Sequence, residues 1–327
     1  MEIAMLFPGQ GSQYIGMGKD LFENYREARL VFEEASDLLG MNIKSLCFNE
    51  HDLLTKTSYA QPAIVTVSLA AYQAFMSEFG IKPVIFAGHS LGEYSALITS
   101  GTLKLEDGLK LVKLRGELMQ RASEDSDGRM ISISHSKLDD LRGICDSLKN
   151  EGYFAVISCY NSTNQYTISG EKKAIDKVIQ SLQHFNIKYT TLKVSGAFHS
   201  LLMQEAANKL TKTIKAIDFG SGCNVISNLE GLPYFCPEDV KRGLILQITH
   251  PVQWWNTMKY IREKHIIKAI EMGPRAVLKN LWNQLNGPNH AISITNSNDM
   301  NRAKKWLDDI ERNKDESFKA VLSSTVL

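Results

Sequence analysis

Val84-Ile85-Phe86-Ala87-Gly88-His89-Ser90-Leu91-Gly92-Glu93-Tyr94-Ser95-Ala96-Leu97-Ile98 decides how the chain is read. A short apolar run ends at Gly88, Ser90 follows, Gly92 comes two residues on, and a helix-compatible segment begins. This is the G-x-S-x-G pattern in strand-turn-helix context. Glycines flanking a serine relieve crowding at a sharp turn, so the hydroxyl is held exposed on a strained corner. The helix that follows aims its first N–H groups at the point where an oxyanion would develop. Alone, the pattern fits any activated serine, and Gly-rich turns containing serine also recur by chance.

Upstream, Ile3 to Phe7 reads as a buried first strand and not a signal peptide, because it lacks a basic n-region and a long apolar run. It runs into Pro8-Gly9-Gln10-Gly11-Ser12-Gln13. No Lys-Ser or Lys-Thr makes this a P-loop, and Tyr14 stands where a dinucleotide pattern needs its third glycine. The turn is either structural or places Gln10 in a site at the end of a parallel strand. Helical spacing covers 20–39, ending at Gly40. A second helix starts at Gln61-Pro62-Ala63, with proline in its first turn, and runs to Phe79. In 103–119, Leu105, Leu109, Val112 and Met119 make one stripe, with Arg115 beside or within it. An inward arginine is costly unless it meets an anion. An internal salt bridge, a snorkelling side chain and a grip for a substrate carboxylate all fit.

Downstream, Ser123 to Gly128 has linker texture. The next stretch reads strand (130–133), helix (138–148), strand (154–159), strand (165–169), helix (172–185), strand (188–194), the order of a ferredoxin-like split βαβ unit. The larger unit resumes at Ser195-Gly196-Ala197-Phe198-His199-Ser200. Helices are expected over 201–217, 237–246, 252–264 and 276–285, and strands over 225–227, 266–271 and 290–294. The expected fold is α/β: an α/β-hydrolase-like large subdomain with a parallel sheet, in two parts (1–127 and 195–296), and an inserted ferredoxin-like small subdomain (128–194). A C-terminal helix and polar tail occupy 297–327.

The net charge of +1 argues against a nucleic-acid or membrane-surface binder, and the apolar tract Ala63 to Phe75 is too short to span a bilayer. Five scattered cysteines without a C-x-x-C fit reduced thiols in the cytoplasm, not a disulfide framework or zinc site. No H-E-x-x-H spacing suggests a metal. A serine nucleophile needs a base, most often histidine. His199, in its loop of small residues, is the first candidate and His250 the second. His89 should point elsewhere, and His135, His184 and His265 lie in surface-like contexts. No acidic third member stands out.

Several stretches, taken together, resemble one family: Phe7-Pro8-Gly9-Gln10-Gly11-Ser12-Gln13, Gln61-Pro62-Ala63, the elbow through Leu97, Leu114-Arg115-Gly116, Phe198-His199-Ser200, Pro251-Val252-Gln253-Trp254 and Gly273-Pro274. The chain is similar to malonyl-CoA:acyl-carrier-protein transacylases, the acyltransferases of fatty-acid and polyketide synthesis, and most like their free-standing, trans-acting polyketide forms. The resemblance implies Ser90 as acylated nucleophile and His199 as base. It implies an oxyanion hole from the N–H groups of Leu91 and Gln10, and Arg115 as the grip on the malonyl carboxylate. A main-chain carbonyl near Gln247 would orient the histidine in place of a carboxylate. Asn161 would stand at the site's mouth, and Phe198 and Leu91 would fit malonyl. It implies no cofactor beyond malonyl-CoA as co-substrate, and an acyl carrier protein as the phosphopantetheine-bearing partner. It also implies a cytoplasmic monomer. Lys259, Arg262, Lys264, Lys268 and Lys279 are candidates for a basic rim facing an acidic carrier. Two rivals remain: a carrier-clearing acyl hydrolase of the same fold, whose members tend to lack the arginine, and a non-catalytic docking module, which an intact Ser90 and His199 argue against.

Overall fold

The computed structural model describes residues 2–134, 137–194, 196–221 and 224–324, with side chains through 312. Its strands are β1 (Ile3–Phe7), β2 (Ile85–Gly88), β3 (Gly128–Ser134), β4 (Ala155–Tyr160), β5 (Gln165–Glu171), β6 (Tyr189–Thr191), β7 (Val225–Ile226), β8 (Lys268–Met272) and β9 (Ala291–Ile294). The fold is α/β with a large parallel sheet and a smaller antiparallel one. The parallel sheet has the order β7-β2-β1-β8-β9. Every residue of β1 and β2 is buried, as apolar strands covered on both faces should be. Phe7 pairs with Gly88, so β1 and β2 end side by side. The His89 N–H donates to the Phe7 carbonyl at 3.0 Å, which brings the Gln10 loop against the serine turn.

Two helix expectations change. The proline helix is Thr57–Phe79, and Pro62 lies inside it, past the first turn. Its start is set from elsewhere: Gln120 Oε1, on the helix Leu105–Glu124, accepts the Thr57 N–H at 2.8 Å. The segment 20–39 is two helices, Lys19–Asn24 and Arg26–Leu39, because Tyr25 between them is extended (φ −124°, ψ 123°).

The antiparallel sheet has the order β4-β5-β3-β6. The helices Leu138–Asn150 and Lys172–His184 cover it through a core that includes Ile131, Ile133, Ile168, Val178 and Leu182. This is the ferredoxin-like unit; the expectation for His135 lies outside the described residues. The chain enters and leaves the unit at one place: a Cβ on Gly128 would come within 2.7 Å of the Ala197 nitrogen. A second tether runs through β4. Tyr160 N–H donates to Val252 O, and Val252 N–H to Ser158 O, both at 2.9 Å. The helix Ser297–Ser324 is tied back by a 2.5 Å bond from Ser297 N–H to Asp20 Oδ1. Among the described residues, no helix is long and apolar enough to cross a membrane.

Candidate active site

Ser90 sits between β2 and the helix Gly92–Thr99 at φ 51°, a left-handed conformation that is costly for a residue with a side chain. Gly92 permits the turn, since a Cβ there would lie 2.0 Å from the Phe7 carbonyl oxygen. Asn228, just beyond β7, holds the turn from both sides. Its Oδ1 accepts the Ser90 N–H at 2.5 Å, and its Nδ2 donates to Gly88 O at 2.6 Å.

His199, itself at φ 57°, brings Nε2 to 2.7 Å from Ser90 Oγ. Its Nδ1 lies 2.7 Å from the main-chain oxygen of Gln247. A carbonyl can only accept, so Nδ1 carries the proton and the Nε2 lone pair faces the serine hydroxyl. The ring is 3% exposed. Burial first, and then the nearby Arg115 charge, lower its pKa to about 3, so the imidazole is neutral.

Arg115, from the helix Leu105–Glu124, is 1% exposed. Its guanidinium donates to Gln61 Oε1 at 2.8 Å and Gln247 Oε1 at 3.0 Å, approaches Ser90 Oγ at 3.4 Å, and stacks 5.3 Å from the Tyr94 ring centre. Among the described residues, no carboxylate lies within ion-pair distance of it. Burial lowers its pKa, with Tyr94 and Glu93 opposing the shift. Of the three readings open at the sequence level, the internal salt bridge and the snorkelling side chain are both excluded.

Gln10 is held by its Nε2 bond to Thr57 Oγ1 (3.1 Å), and its Oε1 accepts from Gln61 Nε2 (3.4 Å). Leu91 is the N-cap residue of the helix after Ser90. Asn161, at the end of β4, bonds His89 Nε2 through Oδ1 at 2.8 Å, so His89 is engaged there and not with Ser90. Phe198 is buried immediately before His199. His250 is exposed, with Nδ1 directed at Leu246 O (2.9 Å), and does not join the group. Lys268 pairs with Ile3, at the start of β1, so it stands at the opposite end of the sheet from Ser90. Lys264 and Arg262 lead into that end, which removes all three from a rim around the site. Among the described residues, no group of three or more His, Cys, Asp or Glu could hold a metal ion.

Three residues were missed at the sequence level. Glu93 is 0% exposed. It accepts from Tyr234 Oη at 2.5 Å, from Asn228 N–H at 3.1 Å, and from Gln247 Nε2. Burial pushes its carboxyl up to about 7 against these hydrogen bonds. A glutamate inside the apolar run Glu93-Tyr94-Ser95-Ala96-Leu97 was the available signal, since such a charge is buried only with partners. Asn228 and Tyr234 left none.

A family model described as "Acyl transferase domain" matches residues 4–228. The chain is 38% identical over 315 residues to a Bacillus subtilis protein named malonyl CoA-acyl carrier protein transacylase, covering 96% of this chain and 78% of that one. It is 36% identical to the polyketide biosynthesis malonyl CoA-acyl carrier protein transacylase BaeC of Bacillus velezensis, with 88% and 98% coverage. A solved structure described as a type II PKS acyl-carrier protein in complex with its malonyl-transacylase superposes with a TM-score of 0.86 at 32% identity, covering 92% of this chain and 98% of that one. With the fold, the serine elbow and these likenesses in agreement, the chain belongs to the acyl transferase domain family, among the malonyl CoA-acyl carrier protein transacylases.

Proposed function

We propose that the protein moves malonyl groups from malonyl-CoA, through an ester on Ser90, to the phosphopantetheine thiol of an acyl carrier protein in polyketide or fatty-acid synthesis. The observation that carries this reading is Arg115: a buried guanidinium with only neutral partners, 3.4 Å from the Ser90 hydroxyl oxygen. A site that buries an unpaired cation penalises acyl groups without a carboxylate.

The malonyl carboxylate pairs with Arg115, which sets the thioester carbon beside Ser90 Oγ. His199 Nε2 takes the hydroxyl proton as the Oγ–C bond forms. The carbonyl oxygen becomes anionic and accepts from the N–H groups of Leu91 and Gln10. The C–S bond then breaks, and the proton passes from His199 to the departing CoA sulfur. In the second half the carrier thiol gives its proton to His199, its sulfur attacks the ester carbon, and Ser90 leaves with that proton. The carboxylate also assists the base. Arg115 is one cause of the low His199 pKa, so an anion bound to Arg115 raises the histidine's proton affinity as substrate arrives.

The site side chains all come from one chain, which supports action as a monomer. Thiols left free at Cys47, Cys145 and Cys159, together with a CoA thioester substrate, favour the cytoplasm. The test is incubation with a panel of acyl-CoAs, followed by mass measurement of the protein and of added carrier. A malonyl adduct that moves to the carrier supports the transferase. Rapid release of free malonate without transfer supports the hydrolase of the same fold.

A further inference from the structure

Gln247 makes four contacts that matter at this site. Its main-chain oxygen accepts from His199 Nδ1 (2.7 Å), its Oε1 accepts from Arg115 (3.0 Å), and its Nε2 donates to the Ser90 main-chain oxygen (3.0 Å) and to Glu93 Oε2. An amide has an acceptor end and a donor end of nearly equal size, so shape does not decide which end meets Arg115. Two obligate acceptors beside the NH2 end decide it, the Ser90 main-chain oxygen and the Glu93 carboxylate. Ionised Glu93 can only accept, and it draws the NH2 end towards itself. Its other oxygen takes Tyr234 Oη and the Asn228 N–H, and Asn228 in turn holds Ser90 N–H and Gly88 O. One buried carboxylate thus borders the elbow, the support of the base and the support of the guanidinium.

We infer that Glu93 is a positioning residue for malonyl selectivity: together with the Ser90 main-chain oxygen, its carboxylate locks the Gln247 amide with the oxygen towards Arg115, keeping the guanidinium aimed at the nucleophile. The assignment rests on the transferase reading above. Glu93 acts across one amide and not by contact. A direct ion pair would neutralise Arg115 and leave less charge for the substrate carboxylate. The intervening amide fixes the guanidinium's direction and leaves that charge available.

The test compares malonyl-CoA and acetyl-CoA loading at pH 8 in the wild type, Glu93→Gln, Glu93→Asp and Tyr234→Phe. Glu93→Gln keeps the size of the side chain but brings an NH2 group to donors that need an acceptor. Turning the Gln247 amide over relieves that clash, gives up its bond to the Ser90 main-chain oxygen, and points its NH2 at Arg115. The malonyl-to-acetyl ratio of kcat/KM is expected to fall about tenfold, mainly through malonyl KM. Glu93→Asp, one methylene short of Gln247, should lose the ratio as well. Tyr234→Phe removes a donor from the far oxygen only and should lower the Tm while keeping the ratio. An unchanged ratio in either Glu93 variant that folds, with both substrates slowed alike, overturns the assignment. So does a Tyr234→Phe ratio as low as that of Glu93→Gln. A wild type that takes no malonyl at all overturns the transferase reading with it.

Discussion

Replacing Arg115 by alanine is the perturbation that asks most of the proposed site. The guanidinium is buried, its direct partners are two amide oxygens and a hydroxyl, and one of its terminal nitrogens lies 3.4 Å from Ser90 Oγ. A malonyl carboxylate held there gains two charge-assisted hydrogen bonds, each worth about 1.5–3 kcal/mol. Their loss should cost about 3–6 kcal/mol, a fall of roughly a hundredfold to ten-thousandfold in kcat/KM for malonyl loading. Acetyl loading makes no such pair and should stay within about tenfold of wild type. Arg115→Lys keeps the charge but not the fork that reaches both Gln61 and Gln247, so it should fall between the two. The assay is a quenched time course with each acyl-CoA, read by intact mass, with Tm recorded to separate misfolding from lost recognition. Equal malonyl loading by wild type and Arg115→Ala would refute the carboxylate role.

Three further outcomes are expected. Histidine nitrogen NMR should find His199 neutral far below the ordinary range, because burial and Arg115 hold its pKa to about 3. A depressed base means the unfolded chain binds the proton better, so this histidine's contribution to stability is lost as pH falls from about 6.5 towards that value. Glu271, which takes the N–H groups of Val277, Leu278 and Lys279, is an acid pushed up to about 7 by burial. The folded chain then binds its proton better, so denaturant titrations should show Glu271→Gln gaining on wild type as pH rises from about 4.5 to 7. Gly92→Ala drives a methyl group against the Phe7 carbonyl, whose oxygen is pinned by the His89 N–H, and should cost more than about 4 kcal/mol, visible as loss of soluble folded protein.

What the chain reveals on its face and what it conceals divide along sequence distance. The Gly88 and Gly92 pair, the alternation of short strands with helices in 128–194, and the histidine loop at Phe198-His199-Ser200 are local patterns, and each produced its element where expected. The start of the Thr57–Phe79 helix was misread because Gln120, 63 residues away, takes the first N–H. The group that orients His199 is a main-chain carbonyl, and every residue has one, so no residue type could mark it. Asn228 and Tyr234 escaped notice for a related reason: they meet Glu93 across 135 and 141 residues, and polar residues in loops draw no attention alone.

The contacts of Ser90 with His199 and with Gln247 span 109 and 157 residues. That separation has a consequence during synthesis. The inserted unit begins and ends at one place and closes on itself, so it can condense early on a growing chain. The reactive centre cannot. Until Gln247 has left the ribosome, the serine exists without an aligned imidazole, and the guanidinium lacks one of its two amide supports. A chain that stops short of Gln247 therefore lacks the alignment that the proposed transfer requires, and the site can close only after that residue has emerged.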